Sequence, residues 1–109
     1  MKWLYEGTNR YDVPIFHPVK LFEVLVYYTY VLLSEIDAHF YIGYTENLKQ
    51  RFEQHEKGLV QSTKDRRPLK LIYYEACLNQ QDATRREKYF KTYYGRMYLR
   101  NGLKSYFTG

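Results

Sequence analysis

The stretch at residues 28–55, YTYVLLSEIDAHFYIGYTENLKQRFEQH, decides the fold. It opens within an unbroken β-branched and aromatic run, residues 26–33, which suits a central strand covered on both faces. A polar loop carrying Glu35 and Asp37 follows, and residues 40–44 form a second strand, so the pair reads as an antiparallel hairpin. Alternate strand residues share a face, so Tyr28 and Tyr30 point the same way while Tyr41 lies opposite Phe40 and Ile42. Gly43 bares the backbone, either for a close approach or for a turn. Thr45 is placed to N-cap a helix that runs to Lys57 and stops at Gly58. The buried stripe of that helix is Leu48, Phe52 and Leu59, with Arg51 and His55 adjoining it four residues apart. A cation so close to an apolar stripe either snorkels to water or faces a cleft.

Downstream, residues 61–70 carry Lys64, Arg66, Arg67 and Pro68 without helical period, a basic loop. Residues 69–75 make a third strand, with Leu71 and Tyr73 on one face and Ile72 and Tyr74 on the other. Cys77 at its end reads as a small packing residue. Asn79 suits an N-cap, with Asp82 in the first turn of a second helix. The apolar line of this helix runs Ala83, Phe90, Tyr94, and Gly95 closes it; Glu87 sits on the line itself. A carboxylate there costs several kcal/mol unless it is paired or metal-bound, so a salt bridge and a metal are the two readings. Residues 97–107 form a last helix through Leu99, Leu103, Tyr106 and Phe107, weakened by Asn101-Gly102. The order β-β-α-β-α-α predicts the α+β class, a three-stranded antiparallel sheet flanked by helices.

Residues 1–25 read as an N-terminal extension to a domain at 26–109, with Pro14 and Pro18 interrupting any regular element. Phe16, Leu21 and Phe22 are candidates to pack on the domain, and Trp3 and Tyr5 to mark an interaction arm; His17 is an ordinary loop histidine. The chain has 109 residues, enough for one core. Fourteen tyrosines need water or partners for their hydroxyls, which places some of them in a wet cleft. The formal charge is +5, and from Ala83 onward seven basic residues stand against one acid, a distribution that suits either a solvated helical surface or a polyanionic partner. One cysteine excludes an internal disulfide and a multi-cysteine zinc site. With no secretory apolar region and no long apolar run, a cytoplasmic protein without a membrane partner is expected.

Tyr28-Thr29-Tyr30, then Tyr41-Ile42-Gly43 beginning eleven residues after Tyr30, then Arg51, His55 and a later helix-borne Glu87, resemble a GIY-YIG endonuclease domain over residues 28 to about 95. Tyr28 and Thr29 stand where the family name has Gly and Ile, and Tyr44 stands where some relatives carry a lysine, so that His55 or Lys49 is left to substitute. The likeness is to small stand-alone members related to the excinuclease C nuclease domain, which associates the chain with DNA repair.

The resemblance implies a metal-dependent DNA endonuclease. Tyr30 activates the attacking water, Tyr41 orients it, Arg51 clamps the phosphate, His55 relays a proton or binds phosphate, and Glu87 holds one Mg²⁺ or Mn²⁺ ion. Lys49, Lys64, Arg66, Arg67 and Arg86 are the candidate DNA-backbone contacts. Exposed tyrosines point toward unpaired bases in single-stranded or branched DNA. A catalytically silent nucleic-acid-binding module on the same fold is the alternative, and a protein-interaction domain using residues 1–25 a third reading.

Overall fold

The computed structural model describes the backbone of Lys2–Thr8 and Pro14–Lys20 and all of residues 25–109. Its elements in chain order are β1 (Lys2–Thr8), β2 (Pro14–Lys20), β3 (Tyr27–Ser34), β4 (Phe40–Thr45), α1 (Leu48–Glu56), a 3₁₀ turn (Lys64–Arg66), β5 (Leu69–Cys77), α2 (Gln80–Phe90), α3 (Tyr93–Gly102) and α4 (Lys104–Thr108). β1 and β2 pair antiparallel as a two-stranded sheet of their own. Pro14 and Pro18 therefore do not prevent a regular element: in a two-stranded ribbon both strands are edges, where a missing N–H is tolerated. The expectations for Trp3, Tyr5, Phe16, His17, Leu21 and Phe22 concern side chains outside the described residues.

The main sheet is antiparallel with order β4-β3-β5 and has a helix layer on each face, the α+β arrangement expected. One layer forms where Val31, Phe40, Phe90 and Leu99 bury against Leu33, Ile42, Ile72 and Tyr73, seating α2 and α3. The other forms where Tyr30, Leu32 and Leu69 meet Tyr41, Leu48, Phe52 and Leu71, seating α1. Thr29 ties the first layer to the sheet by donating its hydroxyl to the Ala83 carbonyl of α2 at 2.7 Å.

The faces of β5 differ from strict alternation. Val31 pairs with Tyr73 but its neighbour Leu32 pairs with Leu71, a bulge that consumes one extra residue of β5. Leu71 consequently packs on the α1 side while Ile72 and Tyr73 both pack on the α2 side. Alternation cannot foresee such an insertion, because a slip of one residue exchanges every face beyond it.

The helix ends also need correction. α1 is capped by Asn47, whose side chain accepts from Gln50 N–H; Thr45 sits two residues earlier and accepts from Asn47 N–H at 3.1 Å. Gly58 does stop α1, in the left-handed region at φ 76°. Leu59 lies beyond the stop and is 70% exposed, so it is no part of the stripe. α2 begins at Asn79 as expected but ends at Phe90; Thr92 caps α3, and Tyr94 is an exposed residue of α3. Gly95 is buried inside α3, where a Cβ would strike the Tyr89 carbonyl at the end of α2, so it permits two helices to touch. The last predicted helix is divided at Leu103 into α3 and α4.

Candidate active site

Along the open edge of β4 lies a cavity of about 520 Å³, lined by the whole run from His39 to Tyr44. Tyr30, Arg51, His55, Val60, Ser62 and Thr63 enclose it from the α1 side, and Glu87, Lys91 and Arg96 from the helices of the other layer. All five expected catalytic residues, Tyr30, Tyr41, Arg51, His55 and Glu87, thus line one pocket. The open edge of a three-stranded sheet is what allows groups from both faces to reach a common space.

Tyr30 lies opposite Gly43 in the β3–β4 register, and a side chain at 43 would land on its ring. Gly43 is therefore a place of close approach inside a continuing strand, not a turn. The Tyr30 hydroxyl is 2.8 Å from His55 Nε2 and receives Arg51 Nε–H at 3.4 Å. Burial raises the Tyr30 pKa, with Glu87 adding to the rise and Arg51 opposing it. At neutral pH the phenol therefore keeps its proton.

His55 is buried at 4% exposure, and its Nδ1 is 2.7 Å from the Thr63 hydroxyl. Burial, and after it the charge of Arg51, lowers its pKa to about 4, so the imidazole is neutral at pH 7. Arg51 also donates Nη1–H to Gln54 Oε1 at 3.1 Å, which fixes its guanidinium beside the phenol. The helix therefore turns Arg51 into the cleft, the second of the two alternatives open for it.

Tyr41 donates its hydroxyl to Asp37 Oδ2 at 2.8 Å, and burial followed by this bond raises its pKa. Asp37 accepts the His39 backbone N–H, which does most to hold its own pKa down, and Arg66 approaches it at 3.6 Å. Glu87 is paired with Lys91 at 3.4 Å, a helical i,i+4 contact at the pocket wall. Glu87 is the one carboxylate among the lining residues. No group of three or more His, Cys, Asp and Glu with metal-holding geometry occurs among the described residues.

The candidate DNA contacts divide. Arg67, exposed, folds back on its own loop and donates to the Lys64 and Glu56 carbonyls at 2.9 and 3.3 Å, closing the loop after α1. Arg86 is engaged bidentately by Glu75 at 2.5 and 3.2 Å and lies 4.6 Å from the centre of the Phe90 ring. Lys49 lines a separate groove with Tyr28, Phe52 and Tyr74, so it cannot serve the pocket in place of a lysine at 44. Lys64 is exposed and Arg66 faces Asp37. Lys91, Arg96, His39 and Thr63 are lining residues that sequence reasoning did not single out. The basic run of the last quarter pointed at the first two; nothing in the local pattern marks Thr63.

Residues 26–101 match the GIY-YIG catalytic domain. The chain belongs to this family. The chain is 48% identical over 66 residues to a UPF0213 protein of Pediococcus pentosaceus, covering 60% of this chain and 68% of that protein. It is 46% identical over 70 residues to a UPF0213 protein of Pediococcus acidilactici, again 60% and 68% of the two chains. A UPF0213 protein of Clostridium perfringens is 38% identical over 65 residues, 59% of this chain and 69% of the relative. No solved structure matches the chain. As a GIY-YIG domain it has a nuclease-type fold. The two departures from the family name are structurally absorbed: Tyr28 packs near Tyr74 outside the pocket, and Thr29 anchors α2. Among the described residues no helix is long and apolar enough to cross a membrane.

Proposed function

We propose that the chain is a metal-dependent endonuclease that hydrolyses phosphodiester bonds in DNA. The observation that supports this reading best is the convergence of two phenols, a guanidinium, a neutral imidazole and one carboxylate on one cavity. Hydrolysis needs a deprotonated water, neutralised phosphoryl oxygens and a stabilised leaving oxygen.

Arg51 is the phosphate clamp, since its planar fork has donors left after those spent on Tyr30 and Gln54. Tyr41 retains acceptor capacity on a hydroxyl that already donates to Asp37, and so holds the attacking water. Tyr30 is a relay and not a standing phenolate, because its pKa lies above the ordinary phenol value. It takes a proton from the water as it passes its own to His55 Nε2, and is neutral before and after. The water oxygen bonds to phosphorus while the bond from phosphorus to the leaving oxygen breaks. A phosphate seated on Arg51 offsets the charge that lowers the His55 pKa, so the acceptor becomes more basic when substrate is bound.

The residues present fit a single hard divalent ion, Mg²⁺ or Mn²⁺. Glu87 supplies one carboxylate oxygen donor, with water and phosphate oxygens left to complete the shell. When bound, such an ion neutralises charge on the phosphoryl and leaving oxygens. Lys91 and Arg96 contribute positive charge on the same wall. Tyr93 and Tyr94, exposed on α3 beside Arg96 in sequence, offer ring faces to unpaired bases, which favours single-stranded or branched DNA.

The test is incubation of the purified protein with labelled single-stranded, duplex and branched DNA, with Mg²⁺ or Mn²⁺ and with a chelator. Nicking that the chelator abolishes is expected. Binding without cleavage of any form would replace the nuclease by a silent nucleic-acid-binding module.

A further inference from the structure

We propose that Thr63 is a positioning residue that holds His55 as the Nδ1–H tautomer, leaving Nε2 bare to receive the proton of Tyr30. The role of that proton rests on the nuclease reading above; the tautomer does not.

The assignment follows from counting donors. Arg51 Nε always carries a hydrogen, and it donates to the Tyr30 oxygen at 3.4 Å. The phenol has one hydrogen of its own, and His55 Nε2 at 2.8 Å is its hydrogen-bond partner on the protein. A hydrogen on Nε2 would give the Tyr30 oxygen two donors, Arg51 and His55, and displace the phenol hydrogen from its protein acceptor, whereas a hydrogen on Nδ1 leaves only the freely rotating Thr63 hydroxyl hydrogen to turn toward the pocket that Thr63 lines. Nε2 is therefore unprotonated. The neutral ring then carries its hydrogen on Nδ1, directed at Thr63 Oγ1 at 2.7 Å.

Thr63 is built to stay there. It is 1% exposed, and its backbone N–H and that of Lys64 both bond the Val60 carbonyl, at 3.1 and 3.0 Å. The loop is closed by Arg67, which spans the Glu56 and Lys64 carbonyls and packs where a side chain at Gly58 would stand. The arrangement has the logic of a catalytic histidine whose tautomer is set by a third group on its far nitrogen, with a hydroxyl in that place here.

Histidine ¹⁵N spectra of the folded protein test the tautomer, and cleavage rates of the same samples test its use. Wild type and Thr63→Ser are expected to show His55 protonated on Nδ1 alone and to cut at similar rates. Thr63→Val, folded by its amide spectrum, is expected to show a mixed or Nε2–H ring and to cut about 10- to 100-fold more slowly, the usual cost of losing such an orienting partner. A wild-type ring protonated on Nε2, or Thr63→Val with an unchanged ring and rate, would overturn the proposal. If Thr63→Val does not fold, the wild-type and Thr63→Ser spectra decide by themselves. If wild type cuts no DNA, the nuclease reading fails and the spectra still decide the place of the proton.

Discussion

His55 gives the folded protein a specific sensitivity to acid. Its pKa is about 4 in the fold against 6.5 ordinarily, so between those values the unfolded chain binds the extra proton and the native state does not. Its contribution to stability is whole above about pH 6.5 and declines as pH falls toward about 4. Urea unfolding across that interval should show stability rising with pH, and His55→Gln should remove about one proton from the slope. An unchanged slope in the variant would mean that His55 titrates freely. Gly43 is equally sharp. Gly43→Ala puts a methyl on the Tyr30 ring, so cleavage should fall by about 100-fold or more while circular dichroism stays native. Wild-type turnover by Gly43→Ala would show that the phenol need not lie where it does.

At the scale of elements, the structure assigns cations that look alike in the sequence to different duties. Arg86 joins β5 to α2 through Glu75, so Arg86→Ala should cost about 1–2 kcal/mol in denaturant unfolding, as for a partly exposed charged hydrogen bond. Gly95→Ala forces α3 off the end of α2 and should cost about 1–3 kcal/mol, the range for overpacking. Both effects lie on the packing side, and neither should alter DNA binding by the folded protein. The hairpin, the order of elements around it and the Asn79 cap were legible because strand alternation, helical period and capping residues are local signals. The bulge in β5, the break after Phe90 and the bonds of Arg67 to its own loop were not. Each depends on a contact across the chain: the β3 register, the α2–α3 approach and the closure of the loop after α1. The motif spacing did foretell which five side chains share the pocket, the basic run of the last quarter pointed only loosely at Lys91 and Arg96, and Thr63 reaches it through tertiary placement alone.

Across the whole molecule, a net charge of +5 sets a background attraction for polyanions, on which the pocket wall adds local cations. The salt dependence of DNA binding should lose about one unit of slope with Lys91→Ala and with Arg96→Ala, the cations that line the pocket. Titrations at several salt concentrations check this directly. On the proposed function, two layers of helix meet at the edge of β4 and make one hydrolytic site from both faces of the sheet. Single-turnover cleavage of a bound DNA in Mn²⁺, comparing wild type with Tyr30→Phe from one face and Glu87→Gln from the other, tests it most directly. Wild type should cut, and both variants should bind the same DNA yet cut at least about 100-fold more slowly, within the usual range for removing a proton-transfer group. Wild-type rates in either variant would contradict the claim.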